Sequence, residues 1–309
     1  MNTNEITSRL EYKLLQGKLD QDVTGLCFDS RHVKQGDIFV CIRGAVFDSH
    51  DALEQIDAGH PSLIIVDKAY ELSLSNISSP VVAVSDTRHA KAVVAAAFYG
   101  YPAEKLRLVG VTGSKGKTTV ATMITAALRE AGCKAGSIGS NGVNLGDEIL
   151  EVANTTPDSD QLQRFLALMV SKGIEYAVIE CSSQGLMQHR TDMITFDVGV
   201  FLNVQHGDHV GTDEHPTFEN YAYCKSLLLR QCRQGVVNLD DKNIDFVVKE
   251  ATCELITVGH DDTHAATAKL GSTPDYVIGK QRTRERNGLI GEEFNLSGKL
   301  DDEVYVNMP

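Results

Sequence analysis

The chain has 309 residues, 42% of them hydrophobic and 23% charged, no Trp, and a formal net charge of -13. This is a globular composition with room for two domains, and its negative charge argues against a general binder of nucleic acid or of anionic membrane surfaces, both of which would repel it. Seven Cys with no C-x-x-C pair read as thiols of a reducing compartment; the first residues lack signal-peptide character and no apolar run reaches membrane-spanning length, so a cytoplasmic location is expected.

Residues 1–88 carry strand-like pieces at 23–28, 37–42, 62–66 and 81–84, with a helical stretch at 51–58. They are expected to form a small α/β domain of their own. Within it lies the run DSRHVKQGDIFV, residues 29–40, followed by Gly44, Asp48 and His50. Taken alone, Asp29, Ser30 and Arg31 read as a polar turn between strands. An Ala-rich helical run then begins near Asp86 and stops at Gly100 and Pro102, and the domain boundary is placed near residue 88.

A strand-like run, 106–111, leads into GVTGSKGKTT at residues 110–119, and a helical run follows to about Ala131. A strand feeding a Gly-rich turn at a helix N-terminus makes an anion cradle, since free backbone N–H groups and the positive end of the helix dipole face the same point. Lys117 can reach terminal phosphates and the Thr118 hydroxyl is placed for magnesium. Gly113, Ser114, Lys115, Gly116, Lys117, Thr118 and Thr119 are therefore the expected contacts of a nucleoside triphosphate, which the family resemblance given below makes ATP. The strict G-x-x-x-x-G-K-[ST] pattern is not met, because Val111 stands where its first Gly would be.

Beyond the loop, Pro157 suits the first turn of a helix that Thr156 would cap, and 161–172 has helical apolar spacing. The run 176–180 reads as a buried strand ending in Glu180, either a magnesium ligand or a solvated strand end. A further strand, 197–202, precedes His206, His209 and His215, whose spacing gives no ordered zinc set. The helix beginning at Phe218 carries Lys225, which by spacing alone reads as a snorkelling surface residue. Strand-like segments at 235–241 and 253–259 complete a doubly wound sheet, and residues 260–309 alternate as hairpin strands would.

Five motifs together resemble the Mur ligases, and within them the UDP-N-acetylmuramoyl-tripeptide synthetases of peptidoglycan assembly. They are the DSR run, the TGSKGKTT loop, NTTP at 154–157, the segment from Glu180 through CSSQGLMQHR at 181–190, and the helix with Tyr221, Lys225, Leu228 and Leu229. The resemblance implies a uridine-nucleotide domain at 1–88, an ATP-binding central domain at 89–309, and a C-terminal ligase domain lying outside this chain, which would be a truncated member. It implies ATP-dependent joining of meso-diaminopimelate or L-lysine to UDP-N-acetylmuramoyl-L-alanyl-D-glutamate through an acyl phosphate, by a monomer using Mg2+.

By the same resemblance Ser30, Thr155, Thr156, Ser182, Gln188 and Arg190 contact the UDP substrate. Lys117 acts on phosphate, while Thr118, Glu180, His209 and a carbamylated Lys225 hold magnesium. In the family pattern an Asn stands one residue nearer the Asp-His pair than Asn203 stands to Asp208 and His209. Two rivals are a noncatalytic nucleotide or UDP-sugar binder and a folylpolyglutamate synthetase-like ligase; the latter shares the loop but lacks the DSR domain.

Overall fold

In the computed structural model the described residues are all those of the chain except 45, 71–72, 208–209, 212–213, 261–273 and 308–309. Contacts divide the chain into two compact units: residues 1–106 with 157–173 and 188–194, and residues 107–156 with 174–187 and 195–309.

The first unit is built on a five-stranded sheet of β1 (Lys13–Gln16), β2 (Gly25–Cys27), β3 (Asp37–Val40), β4 (Leu63–Asp67) and β5 (Val81–Val84), in the order β1-β5-β4-β3-β2. The four strands from β2 to β5 run parallel and β1 is antiparallel at the edge. Parallel strands need helical cover on both faces, and alternation sorts their side chains accordingly. Ile38, Val40, Leu63, Ile65, Val82 and Val84 share one core with Ile6 of α1 (Thr3–Ile6). Phe39, Ile64, Val66 and Val81 share the other with Leu53 and Ile56 of α2 (Leu53–Asp57).

Helix α3 (Thr87–Phe98) adds Ala90, Val93, Val94 and Ala97 to the first core. Its burial there explains why the division falls after Leu106 and not at 88, and the helix Ser159–Ser171 also packs on α3. Edge strand β1 has no apolar alternation because most of it faces solvent, and the sequence gives no sign of it.

The second unit holds a sheet with a parallel centre. Its strands are β6 (Arg107–Thr112), β7 (Ala135–Gly139), β8 (Gly142–Asn144), β9 (Ile149–Leu150), β10 (Tyr176–Glu180), β11 (Phe196–Phe201), β12 (Cys232–Asn238), β13 (Glu254–His260), β14 (Tyr276–Ile278), β15 (Arg282–Arg286), β16 (Leu289–Gly298) and β17 (Asp302–Asn307). The path runs β15-β16-β14-β13-β12-β11-β6-β10-β7-β8-β9, with β17 paired to β16. From β6 the chain moves outward to β7 on one side and later to β11 on the other, so the reversal of strand order lies beside β6, where ligands collect in such sheets.

Helix α4 (Lys117–Glu130) covers one face, packing Ala121 against Val109, Val111 and Val178. On the opposite face Gly110 admits Leu228 and Phe196; a Cβ at Gly110 would come within 2.6 Å of a Leu228 methyl. The sheet is therefore covered on both faces near β6, as a doubly wound architecture requires. Strands β15, β16 and β17 form the antiparallel hairpins expected after residue 260.

Candidate active site

The loop between β6 and α4 is braced from strand β11's far end. Asn203 accepts from the Ser114 amide at its carbonyl (2.9 Å) and from the Lys115 amide at Oδ1 (3.0 Å), and donates from Nδ2 to the Lys115 carbonyl (3.1 Å). Ser114 Oγ accepts from the Gln205 amide (3.0 Å) and from the Tyr221 hydroxyl (3.1 Å). The sequence offered Asn203 only as a motif marker; its role in fixing the loop depends on two strands adjacent in space and far apart in the chain.

Two lysines converge on one carbonyl of this loop. Lys117 Nζ donates to the Gly113 carbonyl at 2.8 Å and Lys225 Nζ donates to the same oxygen at 3.0 Å. Lys225 is 1% exposed, so the surface reading that its spacing suggested is corrected. Its amine also lies 4.4 Å from the centroid of the Tyr221 ring. Burial pushes the Lys225 ammonium down to about 7, with the neighbouring Lys117 charge adding to the effect. Lys117 is likewise lowered by burial. Two cations held this close in a buried place favour arrival of negative charge.

Glu180, at the end of β10 and 2% exposed, is not a solvated strand end. Its Oε2 accepts from the Thr118 hydroxyl at 2.8 Å and its Oε1 from the Ser140 amide at 3.0 Å. Gly139 makes room: a Cβ there would stand 2.0 Å from Oε1. Ser140 in turn meets Thr155, Oγ to Oγ1, at 2.9 Å. Residue reading passed over Ser140, whose only trace in the sequence is a Gly-Ser step after a strand.

Thr156 is not a helix cap. The helix begins at Ser159 after Asp158, while the Thr156 hydroxyl donates to the Glu180 carbonyl (2.8 Å) and accepts from the Ser182 amide (2.9 Å). Ser182 Oγ accepts from the Gly185 amide at 3.0 Å. Lys117, Thr118, Ser140, Thr155, Thr156, Glu180, Ser182 and Lys225 thus form a connected polar group at the C-terminal ends of parallel strands in the second unit. His209 lies outside the described residues.

Ser30, Gln188 and Arg190 belong to the first unit. Ser30 lines a cavity of about 620 Å³ together with Phe28, Asp29, Arg31, Gly44 and Phe47. Asp29 holds the Arg31 guanidinium (2.9 and 2.7 Å), whose hydrogen bonds place the carboxyl well below the usual range. Asp48 and His50 form a polar cluster of their own: His50 Nδ1 meets Asp48 at 2.6 Å, Nε2 accepts from the Asp67 amide at 3.0 Å, and Tyr70 donates to Asp48 while stacking on the imidazole. Gln188 accepts from Arg190 (2.8 Å), and Arg190 pairs with Asp158 (3.1 Å), which also meets Lys91 (3.2 Å).

The profile of the Mur ligase middle domain matches residues 111–298, more than half of the chain. The chain belongs to the Mur ligase family. Among curated relatives, UDP-N-acetylmuramoyl-L-alanyl-D-glutamate--2,6-diaminopimelate ligase 2 of Clostridium acetobutylicum is 37% identical over 84% of this chain and 53% of its own length. Ligase 1 of the same name and organism is 37% identical over the whole chain and 60% of its own length. A solved structure of a UDP-N-acetylmuramoyl-L-alanyl-D-glutamate--2,6-diaminopimelate ligase superposes with a TM-score of 0.77 at 23% identity, over 98% of this chain and 59% of that one, and supports the fold.

This Mur ligase chain thus spans between about half and three-fifths of the length of these relatives. Among the described residues no helix is long and apolar enough to cross a membrane.

Proposed function

We propose that this Mur ligase chain binds ATP at the β6–α4 loop and UDP-N-acetylmuramoyl-L-alanyl-D-glutamate through Ser30, Thr155, Thr156, Ser182, Gln188 and Arg190, and serves an amide ligase that adds a diamino acid. The names of the relatives favour 2,6-diaminopimelate over L-lysine. The observation that carries the reading is the pairing of Thr118 with Glu180 at 2.8 Å beside Lys117 and the buried Lys225: hard oxygen donors stand next to a place that attracts phosphate.

Thr118 and Glu180 fit magnesium by donor type, and with His209 and a carbamylated Lys225 they would hold it; the ion supplies neutralisation of phosphoryl charge. Carbamylation needs an uncharged amine to attack carbon dioxide. A Lys225 lowered to about 7 presents that form near neutral pH, and the product replaces one of two adjacent cations with an anion bearing oxygens.

Lys117 and the loop amides orient and neutralise the γ-phosphate while it passes to the substrate carboxylate, giving an acyl phosphate and ADP. The incoming amine then displaces phosphate to form the amide.

The test is calorimetric titration with the UDP substrate and with magnesium plus a non-hydrolysable ATP analogue, followed by assay of ADP release with meso-diaminopimelate or L-lysine. Binding of both is expected. ADP and tripeptide product formed on adding diaminopimelate would set aside the second reading, a noncatalytic nucleotide and UDP-sugar binder, whereas binding of both without ADP release means an intact substrate and nucleotide cradle that does not turn over by itself. Binding of neither overturns the proposal.

A further inference from the structure

At the N-terminal end of α3 three potential ligands converge within the first unit. His89 Nδ1 lies 2.6 Å from Asp192 Oδ2, and His189 Nδ1 lies 2.8 Å from the same oxygen. One donor atom from each of the three residues falls within 4.8 Å of the others. Behind His189, its Nε2 stands 3.3 Å from Asp86 Oδ2.

The backbone is shaped to make this meeting. His189 and Met193 both sit in the left-handed region, at φ 59° and 64°, where side-chain-bearing residues are uncommon and which here folds 189–193 into a tight turn. That turn brings His189 and Asp192 to one side, facing His89 on the first turn of α3. Asp86 caps α3 with its other oxygen, accepting from the Arg88 and His89 amides at 2.8 and 3.0 Å.

We propose that His89, His189 and Asp192 form a binding site for a borderline divalent transition metal of the zinc type, with Asp86 orienting His189 from behind. Two imidazoles and one carboxylate suit such an ion, whereas magnesium prefers oxygen alone. Ligand bonds of about 2.0–2.1 Å put tetrahedral donors about 3.3 Å apart, so the donor atoms need to open by a fraction of an ångström. The His89 side chain, 46% exposed, is free to do so, and its exposure leaves a coordination position for water.

The contact from His189 Nε2 to Asp86 is the carboxylate–histidine arrangement that leaves the other ring nitrogen to the metal. The ion would clasp α3 to the segment that begins with Gln188 and Arg190. This inference stands independently of the ligase reading.

The experiment is titration of the full reduced chain with Zn2+ alone by calorimetry, together with the absorption spectrum of the Co2+-loaded chain. One zinc equivalent is expected that His89→Gln and Asp192→Asn each weaken more than tenfold and Asp86→Asn weakens by about tenfold. The cobalt spectrum of the unsubstituted chain should show nitrogen and oxygen ligation without a thiolate charge-transfer band, a readout that needs no variant to fold. Absence of zinc binding, a thiolate band on the tightest site, or affinity unchanged in folded His89→Gln would each overturn the site and leave a metal-free hydrogen-bonded cluster.

Discussion

Glu180 reaches Thr118 because the neighbouring strand ends in a residue without a side chain. Replacing Gly139 by Ala sets a methyl group 2.0 Å from Glu180 Oε1, which must then move away from Thr118 and Ser140. The expected result is a ten- to hundredfold loss of affinity for magnesium plus an ATP analogue, on the order of 1.5–3 kcal/mol for a charge-assisted contact. Calorimetry on a folded Gly139→Ala chain checks it, and unchanged affinity would remove Glu180 from the nucleotide site. The same residue-level logic separates Lys225 from an ordinary helical lysine. Its burial becomes visible only when Gly113 and Tyr221 are seen to enclose it.

Strand β6 does two jobs at once, presenting Val109 and Val111 to α4 and Gly110 to the short helical turn Leu227–Arg230. Leu228 is fully buried there, beside Gly110 and Gly199. Leu228→Ala leaves a cavity beneath the strand that aims the phosphate loop, and stability should fall by about 2–5 kcal/mol. A denaturant midpoint measures this; a shift well under 1 kcal/mol would mean that the sheet closes over the gap. Elements with strong local signals lie close to where their patterns placed them: β5 and β10 have the expected bounds, and the loop helix is displaced by one residue. Elements such as β1 and β7 to β9 have no such signal, since their pairing partners, not their own alternation, define them.

Each unit of the molecule carries its own core, and in the first unit Asp57 ties the end of α2 to a distant turn. Burial raises the Asp57 carboxyl, but hydrogen bonds from the Ser78 amide and hydroxyl (both 3.0 Å) and the Ser79 amide (2.8 Å) outweigh it, leaving a net lowering from 3.8. Because the folded value lies below the unfolded one, this contribution is present above about pH 4 and is lost as pH falls through the folded value. Asp57→Asn should therefore cost about 1–3 kcal/mol at neutral pH and flatten the acid side of a stability-against-pH curve; an acid limb with the original slope would count against it.

At this scale the sequence by itself determined the family and the strand, Gly-rich turn and helix on which the proposed phosphate site is built, because these three are contiguous in the chain. It also placed Thr156, Glu180 and Lys225 in motifs, though their local patterns equally allowed a cap, a strand end and a surface lysine. Only the tertiary structure decided among these, by bringing Thr118 to Glu180, Thr156 to the Glu180 backbone and two lysines to one carbonyl across strands distant in sequence. It alone assembled Asn203 on the loop and His89 beside His189 and Asp192. Burial and convergence of charge are properties of neighbours in space, and a periodicity read along one segment cannot contain them.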